Sequence, residues 1–136
     1  MLTLIRRVQP KTPSRTVEYP VGSFVETEKG YFYIAGPNKR FRFTTKRCLD
    51  SWNPRVVHSS EAALNKYKVA AKMKFRNGSL IHSLADGKVY CISEGKRRHL
   101  TSPEAFEKVG AAKNRRYVVS VSLAEINLHP EGEPIT

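Results

Sequence analysis

The chain repeats itself, and that repeat constrains its architecture more than any other feature. Val21-Gly22-Ser23-Phe24-Val25 recurs in degraded form as Asn77-Gly78-Ser79-Leu80-Ile81, an offset of 56 from Gly22 to Gly78. Gly30, Tyr33, Lys39, Arg40 and Thr44 then match Gly87, Tyr90, Lys96, Arg97 and Thr101, an offset of 57. Further on, Val56-Val57-His58-Ser59-Ser60 matches Val118-Val119-Ser120-Val121-Ser122, with Ala62, Leu64 and Asn65 answering Ala124, Ile126 and Asn127. The offset there is 62, so the second copy carries about five more residues, around Ala111 to Arg115. Insertions in repeats fall in loops on one face. A chain of 136 residues is long enough for one ordinary domain, or for two small units that share the burial neither achieves alone.

Local patterns in the second copy name its elements. Ser79 to Ser83 reads as a strand, Asp86-Gly87 as a turn, Lys88 to Ser93 as a strand, Glu94-Gly95 as a turn and Lys96 to Leu100 as a strand. Thr101-Ser102-Pro103-Glu104 supplies a hydroxyl cap, a proline at the start of a helix and an acidic first turn. Ala105, Phe106 and Val109 form its apolar stripe, and Gly110 its stop. Tyr117 to Val121 is strand-like, and Ser122 with Glu125 has capping-box spacing. The first copy runs the same way, with strands over Ser23 to Thr27, Tyr31 to Ala35 and Lys39 to Phe43. Helices follow over about Lys46 to Trp52 and Glu61 to Tyr67. Between copies, Lys72-Met73-Lys74-Phe75-Arg76 alternates cation and apolar residue as a half-buried strand does.

The expected fold class is therefore α+β: two tandem copies of a three-strand antiparallel meander plus short helices, with an extended N-terminal arm. Residues 1–20 form the arm, because Pro10, Pro13 and Pro20 forbid a long helix; 21–67 form repeat 1, 68–77 a basic linker strand, and 78–136 repeat 2 with an extended tail. Arg6-Arg7 and Gln9-Pro10 interrupt any signal-peptide apolar core, which argues against secretion by that route. Cys48 and Cys91 lie at non-equivalent places, opposite Ala105 and Ile34 of the sister copies, and read as buried thiols.

Catalytic and metal patterns are missing from the sequence. His58, His82, His99 and His129 have no spacing that gathers ligands, and two unrelated cysteines make no zinc site. Gly22, Gly30 and Gly36 fall at turns rather than at a strand-to-helix phosphate loop, and no serine lies in a nucleophile elbow. The expectation is a protein that is not an enzyme and carries no cofactor.

Charge is the positive signal. With 24 Lys and Arg against 12 Asp and Glu, the chain carries +12, which speaks to partners rather than fold. Lys39-Arg40-Phe41-Arg42 alternates cation and aromatic, and its sister is Lys96-Arg97-Arg98. Lys46-Arg47 places two cations at the positive end of a helix dipole, an arrangement that an anionic partner would offset. These residues, with Lys72, Lys74 and Arg76, are the candidate partner-binding set. Acidic protein surfaces and nucleic acid are the natural counterparts.

The second copy resembles a module found in bacteriophage virion proteins and in repeat regions of bacterial surface and cell-wall-associated proteins. The resemblance rests on Gly78-Ser79-Leu80, Val89-Tyr90, Gly95-Lys96-Arg97-Arg98, Ser102-Pro103-Glu104-Ala105-Phe106, Val118-Val119-Ser120-Val121-Ser122 and Pro130-Glu131-Gly132-Glu133-Pro134-Ile135. It covers Gly78 to Ile135 closely and the first copy loosely. The resemblance implies a non-catalytic structural protein of a phage particle, assembled in the host cytoplasm, serving as head decoration or cement, at the head-to-tail junction or in the tail. It would adhere to capsid, connector or tail subunits or to copies of itself, with no membrane partner; a nucleic-acid-binding protein is the alternative.

Overall fold

The computed structural model describes residues 17–110 and 117–136. Most of the expected arm, and the expected insertion at 111–115, lie outside the described residues. The protein is mixed α and β, with a five-stranded sheet, a four-stranded sheet and a few short helices. Its contacts divide into two compact units: residues 17–42 with 55–71, and 43–54 with 72–136.

In the first unit the sheet runs β4-β1-β2-β3-β5. β1 (Phe24–Thr27) pairs antiparallel with β2 (Gly30–Gly36), which pairs antiparallel with β3 (Lys39–Arg42). β4 (Val56–His58) joins β1 in parallel, Val25 opposite Val57. β5 (Lys68–Lys72) closes the other side. Side chains alternate across a strand, so Val25, Phe32 and Ile34 are buried on one face while Phe24, Tyr31 and Tyr33 lie half-buried on the other. Val25, Ile34, Leu64 and Tyr67 form the core, with Tyr19 packed against it. Full burial of each large apolar side chain contributes about 1.5–3 kcal/mol. Tyr67 also accepts a 2.8 Å hydrogen bond from the Tyr19 amide through its hydroxyl, so its polar end is satisfied within the core.

The second unit's sheet runs β8-β7-β6-β9. β6 (Leu80–Ser83), β7 (Val89–Ser93) and β8 (Lys96–His99) pair antiparallel, and β9 (Val119–Val121) joins β6 in parallel. Among the described residues three helices belong here: α1 (Lys46–Asp50), α2 (Pro103–Lys108) and α3 (Leu123–Ile126). Each starts as its residues dictate. Ser102 caps α2 with Pro103 at its first turn, and Ser122 and Glu125 make the reciprocal capping box of α3. Ala105 of α2 packs with Leu80, Cys91 and Leu100.

Several local expectations are corrected. The half-buried strand expected over 72–76 ends at Lys72, although the alternation is real: Met73 and Phe75 are buried and Lys72, Lys74 and Arg76 exposed. Beyond Lys72 the backbone groups are taken by side chains instead of a ladder. Cys48 Sγ donates to the Met73 carbonyl, Trp52 Nε1 to the Lys74 carbonyl, and the Phe75 amide to His129 Nε2. The helix expected over Glu61 to Tyr67 is a run of turns, with Asn65 and Tyr67 amides bonded three residues back. α1 ends at Asp50, two residues earlier than expected, and although it follows β3 in sequence it lies in the second unit.

The alignment of Cys91 with Ile34 is also corrected. The Gly22 amide bonds the Ile34 carbonyl and the Gly78 amide bonds the Ile92 carbonyl, so Ile92 answers Ile34. A constant offset of 57 concealed two opposing changes. The β6–β7 connection is two residues longer than the β1–β2 turn, and β2 carries a bulge between Ile34 and Gly36 that β7 lacks.

Candidate functional site

The twelve candidate residues are Phe41 and eleven cations, some of which the fold uses and some of which it exposes. Arg40 is only 6% exposed. Its guanidinium makes a bidentate pair with Glu61 at 2.9 and 2.7 Å, donates through Nε to the Tyr67 carbonyl, and lies 4.2 Å from the Phe32 ring centre. Arg40 holds the Glu61 carboxyl below its ordinary range, burial opposing and Thr27 assisting. Arg40 is therefore part of the first unit's interior.

Arg97 stands at the same place relative to β8 and is half-buried. It donates to the carbonyls of Ile126 and His129, and its guanidinium lies 5.6 Å from the Tyr90 ring centre. Arg98, also half-buried, donates through Nε to the Glu133 carbonyl at 2.7 Å. Arg97 and Arg98 thus tie the C-terminal tail to β8.

The anion expected opposite Lys46-Arg47 is Glu125. Arg47 meets its carboxylate at 2.7 and 3.2 Å, and Thr45, the cap of α1, donates to it at 2.6 Å. The Ser122 amide and hydroxyl complete the set at 2.8 and 3.0 Å. Burial alone would raise the pKa of this fully buried carboxyl; the hydrogen bonds from Arg47, Ser122 and Thr45 outweigh burial and hold it at about 2. Lys46 pairs with Asp50 one turn on, at 3.4 Å and exposed.

Lys39, Arg42, Lys72, Lys74, Arg76 and Lys96 remain exposed, and Phe41 is half-buried with its ring 6.3 Å from that of Tyr33. The exposed candidate cations lie in both units.

One concave feature was not legible in the sequence. A cleft of about 650 Å³ in the second unit is lined by the apolar Phe75, Leu80, Ile81, Val109 and Val119 and by the charged Arg47, Asp50 and Arg76. Its walls come from α1, the Phe75 to Ile81 segment, the end of α2 and β9, which no local pattern links. Arg76 is fixed there by its backbone: its amide donates to Ser51 Oγ, and Ser79 Oγ donates to its carbonyl.

Sequence reasoning also missed His129. It is fully buried, its Nδ1 donates to the Gly95 carbonyl at 2.8 Å, and its Nε2 accepts from the Phe75 amide at 3.1 Å. A carbonyl only accepts and an amide only donates, so the ring is neutral with the proton on Nδ1. No helix among the described residues is long and apolar enough to cross a membrane. No protein-family model, curated protein or solved structure matches the chain.

Proposed function

We propose that the chain is a non-enzymatic structural protein of a bacteriophage particle, located in the head as decoration or cement, at the head-to-tail junction or in the tail, and that it acts by protein–protein adhesion. Its two sheets are, on this reading, tandem copies of one meander module. The shared antiparallel order, the matched Gly22 and Gly78 bonds and the parallel addition of β4 and β9 support that reading.

The observation that carries the proposal is the division of the cations. Arg40, Arg47 and Arg97 are spent on internal carboxylates and carbonyls, while Lys39, Arg42, Lys72, Lys74, Arg76 and Lys96 stand exposed on a chain of net charge +12. A surface of one sign favours acidic neighbours and sets register and rate more than affinity. The resemblance of Gly78 to Ile135 to virion modules points to the same class of role. One observation favours a second reading, nucleic-acid binding: Lys72, Lys74 and Arg76 place an exposed cation at every second residue.

The deciding experiment is quantitative mass spectrometry on density-banded particles of the encoding phage, alongside DNA binding by the purified chain across a salt series. A fixed number of copies per particle, with no DNA retention, is the expected result. Absence from particles of otherwise complete composition would overturn the proposal. DNA affinity falling steeply with salt would promote the second reading.

A further inference from the structure

From the last residue of β5 the chain runs as Lys72-Met73-Lys74-Phe75-Arg76, within the second unit. Met73 and Phe75 are buried, at 7% and 3% exposure, and Lys72, Lys74 and Arg76 stand exposed on the other side. The backbone that carries them is pinned. The Met73 carbonyl accepts from Cys48 Sγ at 3.5 Å and the Lys74 carbonyl from Trp52 Nε1 at 2.9 Å, while the Phe75 and Arg76 amides donate to His129 Nε2 and Ser51 Oγ, both at 3.1 Å. Cations at every second residue of an extended backbone repeat at about 6.5–7 Å. With its backbone already ordered, the segment gives up little entropy when a partner binds.

No Asp or Glu of the chain answers these three cations. All 12 lie among the described residues, and their ion pairs go to Arg40, Lys46, Arg47, His58 and Lys66. The fold thus holds a row of positive charge in register and leaves it to be neutralised from outside. An extended peptide sets alternate side chains on one face at the same spacing, so carboxylates at every second residue meet the three cations one for one. A single nucleic-acid strand gains most where aromatic faces beside the cations take its bases. The aromatic within this row, Phe75, is turned into the core.

We infer that Lys72, Lys74 and Arg76 form a docking track for an extended acidic segment of a neighbouring protein, one with Asp or Glu at every second residue. The inference rests on the adhesion reading and names the chemistry of the partner. Each exposed pair is weak by itself and screened by salt. Three pairs in register select an alternating acidic strand over an acidic run of other spacing, because a wrong spacing leaves some of the cations unmatched.

Fluorescence anisotropy of the full chain at low salt tests this, with one labelled peptide of alternating Glu and Thr and another of the same composition whose glutamates are contiguous. The alternating peptide is expected to bind at least about threefold more tightly, and to lose on the order of tenfold in affinity for the K72Q/K74Q/R76Q variant. K39Q/R42Q/K96Q removes three other exposed cations, an equal change of charge, and is expected to bind as wild type does. Equal affinity for the two peptides, an equal loss in the two variants, or a DNA oligonucleotide of matched charge that binds wild type more tightly than the alternating peptide would each overturn the track. A chain that fails this test yet is present at a fixed copy number in particles adheres by another surface. One that passes it and is absent from particles keeps the track and loses the adhesion role.

Discussion

Arg47 and Glu125, 78 residues apart in sequence, meet through two hydrogen bonds of 2.7 and 3.2 Å and join the start of α1 to the start of α3. One carboxylate serves both helix ends. It closes the capping box of α3 and accepts the hydroxyl of the residue that caps α1. Negative charge at two positive helix ends offsets the two cations that open α1.

Replacing Glu125 with Ala leaves the Thr45 hydroxyl, the Arg47 guanidinium and the Ser122 amide without their common acceptor. The expected loss is about 3 kcal/mol, read as a lower urea midpoint at unchanged slope. An E125A variant as stable as wild type would show that the shared cap contributes nothing.

Acid should weaken the fold in two stages. Burial, first, and then the charges of Lys74 and Arg97 lower the His129 pKa from 6.5, against the bond to Gly95. The stability linked to that neutral ring is present above pH 6.5 and lost as pH falls toward its folded-state value. Glu125, held at about 2 against an ordinary 4.5, loses its contribution between those two values. Urea midpoints measured against pH should therefore decline below 6.5 and again below 4.5. His129→Gln should flatten the first decline, and a first decline that persists in that variant refutes the assignment.

Burial pushes the Cys48 thiol up to about 12, with the Glu125 charge adding to the shift, and burial likewise raises Cys91. Neither cysteine is in a disulfide. Thiolate is the reactive form, so at about pH 8 the folded protein should resist a disulfide reagent, and two thiols should react once it is denatured. Rapid labelling of the native chain would contradict this burial.

Arg40 and Arg42 are two residues apart on one strand and should behave oppositely. Arg40→Ala strands the Glu61 carboxylate and the Tyr67 carbonyl and is expected to cost about 3 kcal/mol. Arg42→Ala, at an exposed position, should change stability by less than about 0.5 kcal/mol. Thermal melts of the two variants separate these roles; equal effects would erase the distinction.

Much of the local structure was readable from short stretches of sequence. Ser102-Pro103 announced α2, Ser122 and Glu125 announced the capping box, and Glu94-Gly95 announced a tight turn, in which both residues have positive φ. The alternation of Met73 and Phe75 with cations correctly marked which side chains are buried. It did not mark a strand, because strand assignment depends on where backbone bonds go, and those went to Cys48, Trp52 and His129.

The candidate site was legible only as a list of cations. Exposure separated its members, and exposure is a property of the packed chain. Arg40 and Arg42 look alike in sequence, yet the strand's period of two places one against Glu61 and Phe32 and leaves the other in solvent. The cleft between α1 and β9 had no local signal, since its walls come from separated segments.

The sequence by itself determined β1 to β3, β6 to β8 and the helix caps, because each depends on residues within a few positions of one another and on backbone preferences that act locally. Only the tertiary structure decided that Glu125 answers Arg47, that His129 is held neutral between Gly95 and Phe75, and that α1 belongs with the second unit. Those pairings span 34 to 78 residues, and burial sets their worth: a carboxylate or imidazole removed from water must find its partners wherever the fold brings them.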